Sequence, residues 1–268
     1  MSIKQAFTQR HKMYWNRYAR TAIEAGRVLR HIMLNFLCLH AAFGNPKVFE
    51  DKIGPFFSEL EEQGKVKLHY PCGPYEMSLE CVNRIKGRDT SMWIFPDPPN
   101  YCWTNDANVD VHNFGVAQPG LRVTAAAVDD AIEYITEHII PTMGPFDGVV
   151  AYSESGMVAT RLAQKHKSIK CAVIFCGVAS TDKSMTESDF APKNDAERIP
   201  IHSLHIYGLK DMFKESAVIM HSYYAQDKAR MLQHSKGHTV PSDPRNQQKI
   251  RKCVADFLTA VQFDVDRM

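Results

Sequence analysis

Short apolar runs rich in β-branched and aromatic residues alternate along this chain with longer segments whose apolar positions recur at helical spacing. Four runs are clear: Leu34–Leu39, Asp147–Tyr152, Ile169–Phe175 and Ile201–Tyr207. Two weaker ones are Lys65–Tyr70 and Ala229–His234. Between and after them, Pro46–Glu62, Val123–Ile139, Ser155–Lys167, Lys214–Asp227 and Pro244–Val261 read as amphipathic helices. Continuous apolar strands need cover on both faces, so the pattern predicts an α/β fold with a mostly parallel sheet between helices. In such sheets ligands bind outside the carboxyl ends of the strands. Chemistry is therefore sought in the residues just after each run.

Residues 71–121 break the alternation. Six prolines fall there (Pro71, Pro74, Pro96, Pro98, Pro99, Pro119), with Trp93, Phe95, Tyr101, Trp103 and Phe114 among them. A structureless loop of that length is unusual inside a compact domain, so the segment is expected to be an irregular insertion packed near the crevice. The length of 268 residues suits one α/β domain, expected over residues 34–268. Residues 1–33 carry seven Lys/Arg against Glu24 alone, which fits a basic helix or a mitochondrial transit peptide.

A net charge of +2 gives no nucleic-acid footprint, and no apolar stretch approaches the roughly 20 residues that span a bilayer. The seven cysteines form no Cys-x-x-Cys or zinc-type spacing and read as reduced thiols. With no Asn-x-Ser/Thr acceptor in the chain, the cytoplasm is the expected compartment, with the mitochondrion as alternative if residues 1–33 act as a transit peptide.

One strand pattern turns abruptly into a helix pattern at Ala151-Tyr152-Ser153-Glu154-Ser155. A nucleophilic serine in an α/β-hydrolase sits on such a turn, which exposes its hydroxyl and aims the next residue's N–H at the developing oxyanion. The usual spelling is Gly-x-Ser-x-Gly, and here Ala151 and Ser155 replace both glycines. Taken alone, Ser153 would serve equally as an ordinary helix N-cap.

The acid and the base of that fold follow the serine in chain order, each beyond a late strand. Asp211 follows Ile201–Tyr207 through Gly208-Leu209-Lys210. His238 lies in Ser235-Lys236-Gly237-His238-Thr239 before the last helix. His238 is the expected base and Asp211 the carboxylate that fixes its tautomer. Asp211 could also cap the following helix, and His234 is the competing base, but it ends a strand whereas His238 follows a flexible glycine. After the first strand, His40-Ala41-Ala42-Phe43-Gly44 occupies the place of the loop that gives the second oxyanion donor. The backbone N–H groups of Ala42 and Glu154 are the expected pair.

With these segments in view the chain resembles the FSH family of serine hydrolases, small α/β-hydrolases that include fungal esterases, polyketide-releasing thioesterases and an ovarian-cancer-associated hydrolase. The marks are Leu37-Cys38-Leu39-His40 with Asn45, Gly144-Pro145-Phe146-Asp147-Gly148-Val149-Val150 leading to Ser153, Tyr207-Gly208 before Asp211, and Gly237-His238-Thr239-Val240-Pro241. The likeness runs from about residue 34 to 262. It implies the triad Ser153, Asp211 and His238, as the chain order does. It departs at His40-Ala41 for His-Gly, at Ala151 and Ser155, and at Pro71-Cys72-Gly73-Pro74.

The expected function is hydrolysis of a carboxylic ester or thioester through an acyl-enzyme on Ser153, with no metal or organic cofactor. Trp93, Phe95, Tyr101 and Trp103 are expected to line the acyl site. Two alternatives remain at this point: a catalytically impaired binding protein on the same fold, and an acyltransferase using the same triad.

Overall fold

The computed structural model describes residues 33–77, 98–105, 123–180, 182–187 and 190–265. Strands β1 (Leu34–Leu39), β2 (Val66–His69), β5 (Gly148–Tyr152), β6 (Cys171–Phe175), β7 (His202–Gly208) and β8 (Ala229–His234) form one six-stranded sheet in the order β2-β1-β5-β6-β7-β8. Every pairing in it is parallel. The short β3 (Tyr75–Glu76) and β4 (Tyr101–Cys102) pair antiparallel, so part of the segment expected to be irregular is a small ribbon. A bridge from Gly44 to Tyr101 ties that ribbon to the loop after β1.

Side chains alternate along the strands and divide the core in two. Phe36 and Cys38 of β1 join Val150, Val173 and Leu204 under helices α1 (Pro46–Glu62) and α7 (Pro244–Val265). Leu37 and Leu39 face the opposite side with Val149 and Ala151, covered by α2 (Ala125–Tyr134) and α4 (Ser155–Lys165). Each large apolar side chain taken from water there stabilises the fold by about 1.5–3 kcal/mol. Asn45 starts α1: its Oδ1 accepts from Val48 N at 2.9 Å, and Pro46 occupies the first turn, where a missing N–H costs nothing.

Two helices differ from expectation for physical reasons. The segment expected as one helix to Ile139 passes through a π-helical turn at Ile135–Ile139 and continues as α3 (Ile140–Met143). Pro141 has no N–H and crowds the carbonyl four residues back, and the wider turn precedes it. After the short α5 (Lys183–Glu187), helix α6 (Lys214–Ser222) stops short of Asp227 because the chain leaves to pair with Ile199. Ala225 N donates to Ile199 O at 3.0 Å, and Tyr224 is buried with its hydroxyl on Thr160 Oγ1 at 3.2 Å. Strand order reverses between β1 and β5, and the loops at their carboxyl ends flank the crevice.

Candidate active site

Ser153 lies between β5 and α4 with φ 62°, a left-handed backbone that an L-residue holds only when its surroundings impose it. Ser153 N donates to Phe175 O at 3.0 Å, while Ser153 O accepts from Gly156 N at 3.0 Å and Val178 N at 3.2 Å. The replaced glycine at Ser155 has its own use. Its Oγ accepts from Tyr152 N at 3.0 Å and donates to Leu39 O at 2.8 Å, pinning the elbow to the end of β1. A small hydroxyl fits where a glycine is usual, and it adds a tie.

Three side chains then meet. His238 Nε2 is 2.9 Å from Ser153 Oγ, and His238 Nδ1 is 3.0 Å from both carboxylate oxygens of Asp211. Asp211 is 3% exposed and Ser153 6%. Burial alone pushes the Asp211 carboxyl up, but the hydrogen bond and charge of His238 and the Phe213 N–H outweigh it, and the net shift is downward. The carboxylate therefore stays ionised and holds the proton on His238 Nδ1, leaving Nε2 to accept from the serine. Asp211 also accepts from Phe213 N at 2.8 Å, a turn just ahead of the helix at Lys214–Ser222, whose N-cap residue is Phe213 and which has no side-chain cap, so the helix-capping alternative is not realised. His234, the competing base, is buried with its Nε2 3.9 Å from the Cys176 sulfur.

The loops bearing Asp211 and His238 are bound to each other through their backbones. Leu209 N donates to His234 O at 2.7 Å and Lys210 N to Lys236 O at 3.0 Å. Gly208 makes this approach possible, because a Cβ there would fall well inside contact distance of the carbonyl oxygens of Gly237 and Lys236. The Tyr152 ring stacks on His238 with centroids 5.6 Å apart, and Phe213 meets the same imidazole edge-on at 5.0 Å. The Tyr152 hydroxyl donates to His238 O at 3.1 Å.

Among the described residues, neither Ala42 N nor Glu154 N makes a hydrogen bond. The turn that presents Ala42 is closed by Gly44 N on Ala41 O at 3.0 Å, with Phe43 at φ 58°. His40 braces it from beneath: Nδ1–H donates to Ala41 O at 2.8 Å, and Nε2 accepts from Gly73 N at 3.0 Å. Burial pushes the His40 imidazole down to about 4, in keeping with a neutral ring. The Glu154 side chain accepts at Oε1 from Thr104 N at 3.0 Å and from the Thr104 hydroxyl, so the elbow is clamped to the β4 segment. Burial raises that carboxyl above its ordinary value.

On the substrate side the expectations divide. Tyr101 is half-buried beside the Ala42 turn, with its N donating to Gly44 O at 2.7 Å. Trp103 is fully buried in the core cluster against the His40 ring, centroids 5.3 Å apart, and shows no open face to solvent. Trp93 and Phe95 lie outside the described residues. Sequence reasoning passed over Cys176, Thr104, Tyr152 and Phe213. Cys176 had a signal, since it directly follows β6 at the same sheet edge as the serine; Thr104 had none, being 50 residues from its partner. One group of possible metal ligands is found among the described residues, Cys176, Asp211 and His238, and two of its members are the hydrogen-bonded pair just described.

A profile of the FSH1 serine hydrolases matches residues 31–250. The chain belongs to the FSH1 serine hydrolase family. Family of serine hydrolases 2 of Saccharomyces cerevisiae is 26% identical over 230 residues, covering 78% of this chain and 92% of that one. Esterase OVCA2 of Danio rerio is 23% identical over 242 residues, covering 86% and 99%. The solved structure of esterase PE8 superposes with a TM-score of 0.54 at 14% identity, over 84% of this chain and 92% of that one. The FSH1-family chain is thus a serine hydrolase with the α/β-hydrolase fold. Among its described residues no helix is long and apolar enough to cross a membrane.

Proposed function

We propose that this serine hydrolase cleaves carboxylic esters or thioesters of small molecules, with Ser153 as nucleophile, His238 as base and Asp211 as its partner. The observation that carries the reading is the unbroken contact from Asp211 through His238 to a serine held on a left-handed elbow. In the first step Ser153 Oγ attacks the acyl carbon while His238 Nε2 takes the hydroxyl proton. The two idle N–H groups, Ala42 and Glu154, receive the oxyanion. As the tetrahedral intermediate collapses, the imidazolium returns that proton to the departing alcohol or thiol. In the second step His238 draws a proton from water, the hydroxide attacks the acyl-enzyme, and the acid leaves as Ser153 regains its proton. This sequence draws on no metal or organic cofactor.

Tyr101, with Trp93 and Phe95, is the proposed wall of an acyl site for a short to medium chain, and Trp103 backs the His40 ring from within the core instead of lining that site. The cytoplasm is the proposed compartment, in line with the free thiols of Cys38, Cys72, Cys102, Cys171, Cys176 and Cys253. The test is a fluorophosphonate probe with the adduct located by mass, and p-nitrophenyl ester and acyl thioester panels for turnover. Labelling confined to Ser153 is expected. Ser153→Ala and His238→Ala should each lower turnover by about 10⁴-fold or more, and the double variant hardly further, because the groups act as a unit. Labelling elsewhere, or a loss under tenfold, overturns the assignment.

A further inference from the structure

Behind the carboxylate of Asp211 lies a buried thiol that takes no part in the steps above. The Cys176 sulfur, a carboxylate oxygen of Asp211 and a nitrogen of His238 all lie within 4.8 Å of one another. On its other side the sulfur is 3.9 Å from His234 Nε2 and 3.6 Å from Thr239 O. His234 Nδ1 accepts from Lys236 N at 3.3 Å, so the proton of the neutral ring sits on Nε2 and points at the sulfur. Cys176 holds this place at φ 45°, where glycine would be easier, with its N–H on Ile206 O.

We propose that Cys176 and His234 are positioning residues: His234 Nε2–H donates to the Cys176 sulfur, and the thiol proton is thereby turned onto the carboxylate of Asp211. The thiol stands in donor geometry to Thr239 O at 3.6 Å, so that carbonyl competes for the proton, but Asp211 lies within 4.8 Å and a charged acceptor draws a hydrogen bond more strongly than a neutral carbonyl. Burial first, then the charge of Asp211, keep the thiol well above its ordinary range, so it remains a donor throughout the working pH. The carboxylate then has donors from Phe213 N, His238 Nδ1 and Cys176 Sγ, which fix its plane and spread its charge. This rests on the assignment of Asp211 and His238 made above.

The consequence is a shift in the pH profile. Without the thiol proton the carboxylate turns more of its charge toward His238, the base takes up a proton more readily, and the inactive protonated form persists to higher pH. The other titratable groups around the pair are Tyr152 at the end of β5 and His234 at the end of β8. Asp243 and Lys249 act on His234 from further away.

The experiment is kcat/KM against pH on the full chain with a p-nitrophenyl ester. Cys176→Ala should move the acid limb up by about half a pH unit and lower the plateau several-fold, and Cys176→Ser, which keeps a donor, should restore the limb. If Cys176→Ala fails to fold, Cys176→Gly suits the left-handed backbone and lacks the donor equally. His234→Leu should shift the limb less than Cys176→Ala and add nothing in the double variant. A wild-type limb in the donorless variants reduces the thiol to a space-filler, and a limb shifted as far by serine as by alanine overturns the hydrogen bond. An additive double variant removes His234 from the relay. If instead Ser153→Ala keeps its turnover, the underlying assignment fails, whatever the Cys176 profiles show.

Discussion

The two flanks of the Ser153 crevice are held by different kinds of bond. On the acid–base flank, the loops after β7 and β8 meet through main-chain hydrogen bonds, Leu209 to His234 and Lys210 to Lys236. On the oxyanion flank, the loop after β1 and the β4 segment share one main-chain bridge, Tyr101 to Gly44, and depend for the rest on buried side chains, His40 to Gly73 and Glu154 to Thr104. Main-chain ties between neighbouring strand ends follow from the fold and depend on how closely two backbones approach. Side-chain ties across loops depend on donors, acceptors and protonation state. The first flank should therefore fail by steric intrusion, the second by loss of a polar partner or by acid.

The sharpest intrusion is Gly208→Ala. The new methyl would meet the carbonyls of Lys236 and Gly237, which belong to the loop that carries His238, and the loop must yield. A displacement near 1 Å at reacting groups costs about 10²-fold, so kcat/KM for an ester should fall by about that much. Fluorophosphonate labelling of Ser153 should slow in step. Turnover within twofold of the parent would show that backbone approach at Gly208 does not set the geometry of the base.

Thr104→Val attacks the other flank with a side chain of nearly the same shape. It removes one donor to Glu154 and leaves Thr104 N on the same oxygen, so the clamp weakens without disappearing. Losing one partner of a buried polar pair costs about 1–3 kcal/mol, to be read from urea unfolding. The effect on kcat/KM should be roughly tenfold, since the elbow that presents Glu154 N is otherwise pinned by Ser155 and Phe175. A loss exceeding that of Gly208→Ala would reverse the ranking of the two flanks.

The same contrast explains what could be read from the chain. Ser153, Asp211 and His238 each stand a few residues beyond a strand whose apolar run is plain, so local pattern and chain order locate them. The six strands of the sheet follow from alternation alone. The Glu154–Thr104 clamp joins residues 50 apart, the β3–β4 ribbon has strands of two residues, and the His40 brace reaches Gly73; no periodicity records such contacts. Ser155 was legible only as a departure from glycine. Its bond to Leu39 O depends on β1 and β5 being neighbours, a fact of topology.

Acid supplies the last test of the oxyanion flank. His40 is buried neutral, and burial lowers its pKa to about 4 from an unfolded value near 6.5. The unfolded chain thus binds a proton there before the folded chain does. The stability this neutral ring contributes is complete above pH 6.5 and is lost as pH falls toward 4, at about 1.4 kcal/mol per pH unit within that window. His234, also lowered to about 4, and His205, lowered to about 3, add slopes of the same sign; Glu154, whose raised carboxyl favours the protonated form, opposes them. His40→Gln cannot titrate, and its amide can still accept near Gly73 N. Urea unfolding between pH 6.5 and 4 should accordingly show a shallower decline for this variant than for the parent, by about one such histidine's share. Parallel curves would mean that the brace beneath Ala42 is protonated without consequence, and that the oxyanion flank resists acid as well as the main-chain flank does.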